Sequence, residues 1–268
     1  MKTKRILTLV FAIVIAGIAY YQKQQNVETE TGTVPDYSTD FSFDFLPTST
    51  TNQVVHQRYY SLSYNEKKEQ PEWVAYALLP SQLKRIDRKR PYFIKDKKVK
   101  TKSADYRNYK NSGYDKGHLC PAGDRRFSKD AFDETFLTSN IAPQNHEFNA
   151  GIWNRLEQKT RYWTKKYGKL YVITGGILTD KNLKTIGREK VAVPNRFYKI
   201  ILDYKGNKAK AIAFIMPNKD SDKPLYQFTT TIDHIEALTR IDFFTNLPDS
   251  IENKIEKENN YKNWSFRY

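Results

Sequence analysis

The stretch Arg196–Asn218, RFYKIILDYKGNKAKAIAFIMPN, constrains the fold more than any other part of the chain. Two runs rich in apolar, β-branched and aromatic residues flank Lys205-Gly206-Asn207, a turn that returns a chain antiparallel beside itself. Tyr59–Tyr64 and Trp73–Leu79 repeat the pattern around a charged turn. LYVITGGIL reads as a buried strand, and Phe136–Gln144 as a short strand stopped by Pro143. Helical spacing is confined to a few places. In NAGIWNRLEQKTRYWTKKYG, Ile152, Leu156, Trp163 and Tyr167 recur near a helical period and Gly168 suits a C-terminal cap. Thr231–Thr239 predicts a second helix, and DFFTNLP a packed aromatic turn. No internal repeat occurs. Hairpins, not regular crossover helices, join most strands, so the predicted fold is α+β: an antiparallel sheet core flanked by helices.

At 268 residues the chain holds one domain of about 200 residues plus extensions. MKTKR followed by the 14-residue apolar run Ile6–Ala19 is short for a membrane span and suits a signal peptide. The expected division is therefore a signal peptide or N-terminal membrane anchor at 1–21, a flexible linker rich in Thr, Ser and Asp at 22–53, and a folded domain at 54–268. Such a start implies an exported protein, periplasmic or secreted, touching membrane only through that segment if it is uncleaved. Cys120 stands alone, so it cannot form an internal disulfide; it is expected to be a buried packing thiol. No spacing of four Cys/His ligands for zinc exists.

The formal charge of +15 is unevenly spread. Lys84–Arg126 carries 15 Lys/Arg against 5 Asp/Glu, whereas Asp249–Tyr268 carries four of each sign. Such a block suits a polyanionic partner (nucleic acid, an anionic membrane surface or an acidic polysaccharide) and equally a solvated basic face. Inside it lies YDKGHLCPAGD. Among so many cations a proton on His118 is disfavoured, so its imidazole stays neutral and can act as a base on water beside a phosphate. On the predicted helix Asn149, Trp153, Glu157 and Arg161 recur every four residues, which offers an oxygen ligand, a carboxylate and a cation along one side. The plainer meaning of that stripe is a helix cap plus an ordinary solvated Glu/Arg face.

YDKGHLCPAGD, followed by TSNIAPQNHEFNAGIWNRLE, resembles the signature of the DNA/RNA non-specific endonucleases, the group of Serratia nuclease and mitochondrial endonuclease G. That signature reads Asp-Arg-Gly-His, Ser-Asn-Ile-x-Pro-Gln, then Asn-x-x-x-Trp-x-x-Leu-Glu, and the likeness runs from about Val54 through RPYFIKD, VPNRFYKI and AIAFIMPN to IEALTRIDFF. The resemblance implies a ββα-metal (His-Me finger) active site. In it His118 is the general base and Asn149 the direct ligand of a hydrated Mg²⁺, with Mn²⁺ as a substitute. Glu157 supports the metal's water shell, Arg90 binds phosphate, Arg161 stabilises the leaving side and Asn140 positions the site. Lys116 replaces the usual arginine, keeping the charge but losing the bidentate fork. Arg240 stands where many members have glycine.

The expected activity is Mg²⁺-dependent hydrolysis of phosphodiester bonds in DNA, RNA or both, with little sequence preference. The rival expectation is a non-catalytic basic module that binds nucleic acid or another polyanion on the same fold. A binding module has no need of His118, Asn149 and Glu157 together. Strand preference and oligomeric state, a homodimer included, stay open at this level.

Overall fold

The computed structural model describes residues 44–84 and 86–266. Contacts divide the chain into Met1–Asp40 and Phe41–Tyr268, and the described residues all belong to the second unit. The predicted N-terminal segment 1–21 and residues 22–43 of the predicted linker lie outside them.

In chain order the unit contains β1 (Val54–His56), β2 (Ser61–Asn65), β3 (Gln70–Leu78), β4 (Asp115–His118), α1 (Lys129–Glu134) and β5 (Ile141–Gln144). A short helix α2 (His146–Phe148) passes through the π-type segment Asn149–Trp153 into α3 (Asn154–Tyr167). There follow β6 (Leu170–Gly176), β7 (Thr185–Ile186), β8 (Val191–Ala192), β9 (Arg196–Asp203), β10 (Lys210–Pro217), β11 (Thr229–Thr230), α4 (Ile232–Thr239) and α5 (Asp249–Lys257). Seven strands form one sheet in the order β1-β2-β3-β6-β9-β10-β11, every neighbouring pair antiparallel. The expected α+β class and the two hairpins are what the chain forms.

The strands read as continuous apolar runs because both faces of the sheet are covered. Their side chains alternate between two cores with the period of two that a strand imposes. Val74, Tyr76, Val172, Phe197, Ile201, Ile212 and Phe214 face the core under α3, with Leu156 and Trp163. Trp73, Ala75, Tyr171, Ile173, Tyr198 and Ile200 face the other, with Ile232, Ile235 and Ile255 from α4 and α5. Lys199, between Phe197 and Ile201 on the α3 side, is fully buried.

Two local expectations are corrected, and the place of Arg240 is explained. Pro143 lies within β5 opposite Lys116 and does not stop it, because a two-stranded ladder has free edges that tolerate a missing N–H. Arg240 takes the left-handed conformation (φ 61°) that closes α4, which is why glycine suits this position. Asp44–Gln53, assigned to the linker, packs onto the domain. Phe45 is 1% exposed, its ring 4.7 Å from Tyr171. Thr48 accepts the Trp73 indole N–H at 2.9 Å and donates its own backbone N–H to Asp242 at 2.9 Å. Low periodicity hid this segment, since it contributes single anchors and no regular face.

Phe45→Ala should therefore cost about 3–5 kcal/mol, the usual loss for emptying a buried phenylalanine site. A lower urea midpoint at unchanged slope is the expected result. A midpoint equal to the parent's would return Asp44–Gln53 to linker status.

Candidate active site

β4 and β5 pair with each other outside the main sheet, Asp115 opposite Gln144 and His118 opposite Ile141, and the chain then enters α2 and α3. This is a ββα unit. Gly117 is required by a close approach: a Cβ there would overlap the side chain of the fully buried Gln144. Just beyond β4 the backbone is fastened by Asn140. Its Oδ1 accepts from Cys120 N at 2.8 Å, and its Nδ2 donates to the carbonyls of Cys120 and Thr135, each at 3.0 Å. Asn140 is wholly buried and committed to backbone, so it positions the loop and cannot touch a substrate. Cys120 is buried as a packing thiol, and burial pushes it up to about 12.

His118 ends β4 with its ring 5.5 Å from Phe93 and 5.0 Å from Phe136. Its Nε2 is enclosed and unpartnered, which leaves Nδ1 as the nitrogen able to meet a water. Burial, assisted by the Arg90 charge, lowers the His118 pKa to about 3. The guanidinium of Arg90 lies 5.5 Å from the centroid of the Phe136 ring that His118 also contacts. Lys116 places its ammonium 5.5 Å from Phe93 and 5.9 Å from Tyr109. The basic block thus brings three of its residues, Arg90, Lys116 and His118, around one aromatic wall.

Asn149 does not cap a helix. Asn145 does, accepting the Phe148 N–H at 3.0 Å. Asn149 instead donates Nδ2 to Asp115 Oδ2 at 2.9 Å, an oxygen 3.0 Å from His146 Nδ1. That bond ties the helix start to β4 and occupies the amide nitrogen of the side chain, not its Oδ1. The regular stripe expected along the helix is broken. Gly151 adopts φ −93°, ψ −108°, and Trp153 turns fully into the core. Glu157 and Arg161 remain together beyond the kink, with Arg161 Nη1 4.0 Å from Glu157 Oε2 and 2.7 Å from Asp124 Oδ1.

Behind them lies a buried polar layer that sequence reasoning missed. Asp124, 1% exposed, accepts from the Tyr76 hydroxyl at 3.0 Å. Lys199 donates to Thr174 Oγ1 at 2.7 Å and sits 4.9 Å from the Trp153 ring. Burial raises Glu157 to about 7, against the opposing charges of Arg161 and Lys199. Asp115, two positions before Gly117, was within reach of the motif. Tyr76 and Lys199 belong to distant strands and leave no local signal.

Among the described residues, clusters of three possible His, Cys, Asp or Glu ligands occur only around Glu256 and not here. The oxygen donors at hand are Asn149 Oδ1 and the Glu157 carboxylate. So sparse and hard a set fits a divalent cation that keeps most of its water, and does not fit zinc.

A sequence profile described as DNA/RNA non-specific endonuclease matches residues 38–250. The mitochondrial nuclease EXOG of Danio rerio is 37% identical over 209 residues, which cover 71% of this chain and 61% of that protein. Mitochondrial endonuclease G of Homo sapiens is 34% identical over 212 residues, 73% of this chain and 70% of that protein. This chain thus spans about six-tenths of the length of the EXOG relative. A crystal structure of the EndoG/EndoGI complex, described as revealing a mechanism of EndoG inhibition, matches at TM-score 0.69 and 32% identity, covering 74% of this chain and 88% of that one. That the relatives are mitochondrial nucleases overturns the expectation of an exported, periplasmic or secreted protein. Among the described residues no helix is long and apolar enough to cross a membrane.

The depressed histidine is directly measurable. The folded state holds His118 neutral while the unfolded chain protonates it near 6.5, so this contribution to stability is complete above about pH 6.5 and lost as pH falls toward 3. The His118 ring resonances should not titrate between about pH 8 and 5 in the metal-free protein. A midpoint near 6.5 would show that the half-buried ring is not held neutral by its surroundings.

Proposed function

The chain belongs to the DNA/RNA non-specific endonuclease family, and we propose that it is a Mg²⁺-dependent endonuclease that hydrolyses phosphodiester bonds of DNA, RNA or both with little sequence preference. The observation that carries this reading is the pairing of two groups on one short strand. β4 ends in His118, whose pKa burial and the Arg90 charge lower, and through Asp115 it orients Asn149.

In this mechanism Arg90 and Lys116 bind the phosphate through its charge, without reading a base. His118 Nδ1 accepts the proton of the attacking water, and its low pKa keeps that nitrogen free throughout the physiological range. Asn149 Oδ1 would hold Mg²⁺, or Mn²⁺ in its place, and Glu157 would accept hydrogen bonds from the ion's water shell. The bound ion supplies charge stabilisation at the phosphate and the leaving 3′-oxygen. Arg161, seated on Asp124, adds a fixed positive charge on the leaving side. Asn140 acts through backbone alone, holding the Cys120 loop that follows His118. Every group comes from one chain.

His118→Ala should lower the rate by about 10²–10⁴-fold with DNA affinity nearly kept. Asn149→Ala should abolish Mg²⁺-dependent cleavage while fold and DNA binding persist, because Asn145 carries the cap. Glu157→Gln should be milder, about 10–100-fold, since it acts through water. Plasmid and RNA cleavage with Mg²⁺ or EDTA, run beside calorimetry of Mg²⁺ binding to the same variants, checks all three. Full cleavage by folded Asn149→Ala would put the metal elsewhere. Tight DNA binding without cleavage by the parent protein would favour a basic binding module.

A further inference from the structure

Arg161 faces two ways. Its Nη1 is held by Asp124, and its side chain also lines a groove of about 650 Å³ that leads away from Glu157 along α3. Among the described residues four cations line this groove, Lys84, Arg126, Arg161 and Lys165, and no carboxylate does. Leu83 and the ring of Tyr162 supply an apolar wall between them. Of these cations Arg161 is paired with Asp124, and Arg126 lies 3.9 Å from the fully exposed Asp87, a pair worth little in water. Gly123 belongs to the construction: a Cβ there would lie 3.2 Å from Arg161 Nη1, so the missing side chain leaves room for the guanidinium between Asp124 and the groove. A strip of cations beside an aromatic ring, without acids, suits a phosphodiester chain whose bases can stack.

We propose that this groove is the subsite for the strand carrying the leaving 3′-oxygen, with Arg126 and Lys165 as its phosphate contacts. The assignment rests on the endonuclease reading above, which sets Arg161 on the leaving side. From Glu157 to Lys165 the helix rises about 12 Å. At about 3.4 Å per nucleotide, the rise of one strand in a stacked helix, that length holds about three nucleotides. Substrate would therefore be gripped on the 5′ side of the scissile phosphate, and the enzyme would cut poorly within about three nucleotides of a 5′ end.

The test uses the full chain and the double variant Arg126→Glu/Lys165→Glu, neither residue being part of the reacting centre. Against a 5′-labelled single-stranded 20-mer the variant should raise KM at least about tenfold with kcat nearly unchanged. Against bis(p-nitrophenyl) phosphate, too short to reach from the reacting centre to Arg126 and Lys165, its rate should stay within about twofold of the parent's. In EDTA, fluorescence anisotropy with the same 20-mer should show weaker binding. The slope of log K against log salt should shrink by about 1.4, for two lost single-strand phosphate contacts. The parent's labelled products should rarely be shorter than about three nucleotides. Equal losses on both substrates, an unchanged salt slope, or an even product ladder down to mononucleotide would overturn the subsite. If the parent cleaves neither substrate with Mg²⁺ or Mn²⁺, the endonuclease reading fails, and the EDTA binding arm still decides the groove. Should the double reversal lower the melting temperature, Lys165→Ala gives the same comparison with about half the slope change.

Discussion

Leu156 and Trp163 bury one face of α3 against the sheet, and Trp153 locks the turn before it. The polar groups that α3 contributes to the candidate site, Glu157 and Arg161, take their positions from that packing. A helix pressed onto four strands by fully buried rings cannot roll or slide without opening cavities, and such cavities cost several kcal/mol. Glu157 and Arg161 therefore stand where the core puts them. The kink at Gly151 reconciles two demands that a straight helix cannot meet together: Trp153 in the core, and Asn149 against β4.

The electrostatics follow from the same burial. The site holds an excess of cations, and desolvation of the His118 ring, with the Arg90 charge beside it, lowers the pKa of that imidazole. Glu157 sits at the opposite extreme, a carboxylate whose burial disfavours ionisation while Arg161 and the wholly buried Lys199 favour it. Asp124 is nearly sealed from solvent and holds Arg161 on one oxygen and the Tyr76 hydroxyl on the other. An arginine pinned in this way keeps its planar fork in a fixed orientation, which a solvated lysine at the same place would not.

Much of this was legible before any coordinates. The strand at Arg196–Asp203 and its hairpin partner follow from β-branched runs around a turn, because such runs satisfy their backbone groups by pairing laterally. His118, Asn149 and Glu157 were singled out by spacing and by resemblance. Arg90 was legible only through resemblance, since nothing in its spacing ties an exposed arginine to a histidine 28 positions on. The apolar start of the chain pointed toward export, and the mitochondrial relatives point away from it. The same apolar and basic residues can serve more than one kind of address, so composition alone does not decide between them.

The sequence by itself determined the antiparallel α+β class, the basic block and the motif that marks the family, because each is a matter of local pattern or side-chain chemistry. Only the tertiary structure decided which nitrogen of His118 is open, that Asn145 rather than Asn149 caps the helix, and that Asp44–Gln53 belongs to the domain. It also decided that Lys199 and Tyr76 lie behind the site. These depend on contacts between residues tens to more than a hundred positions apart. No periodicity within a window carries such information; it exists once the sheet has brought the strands together.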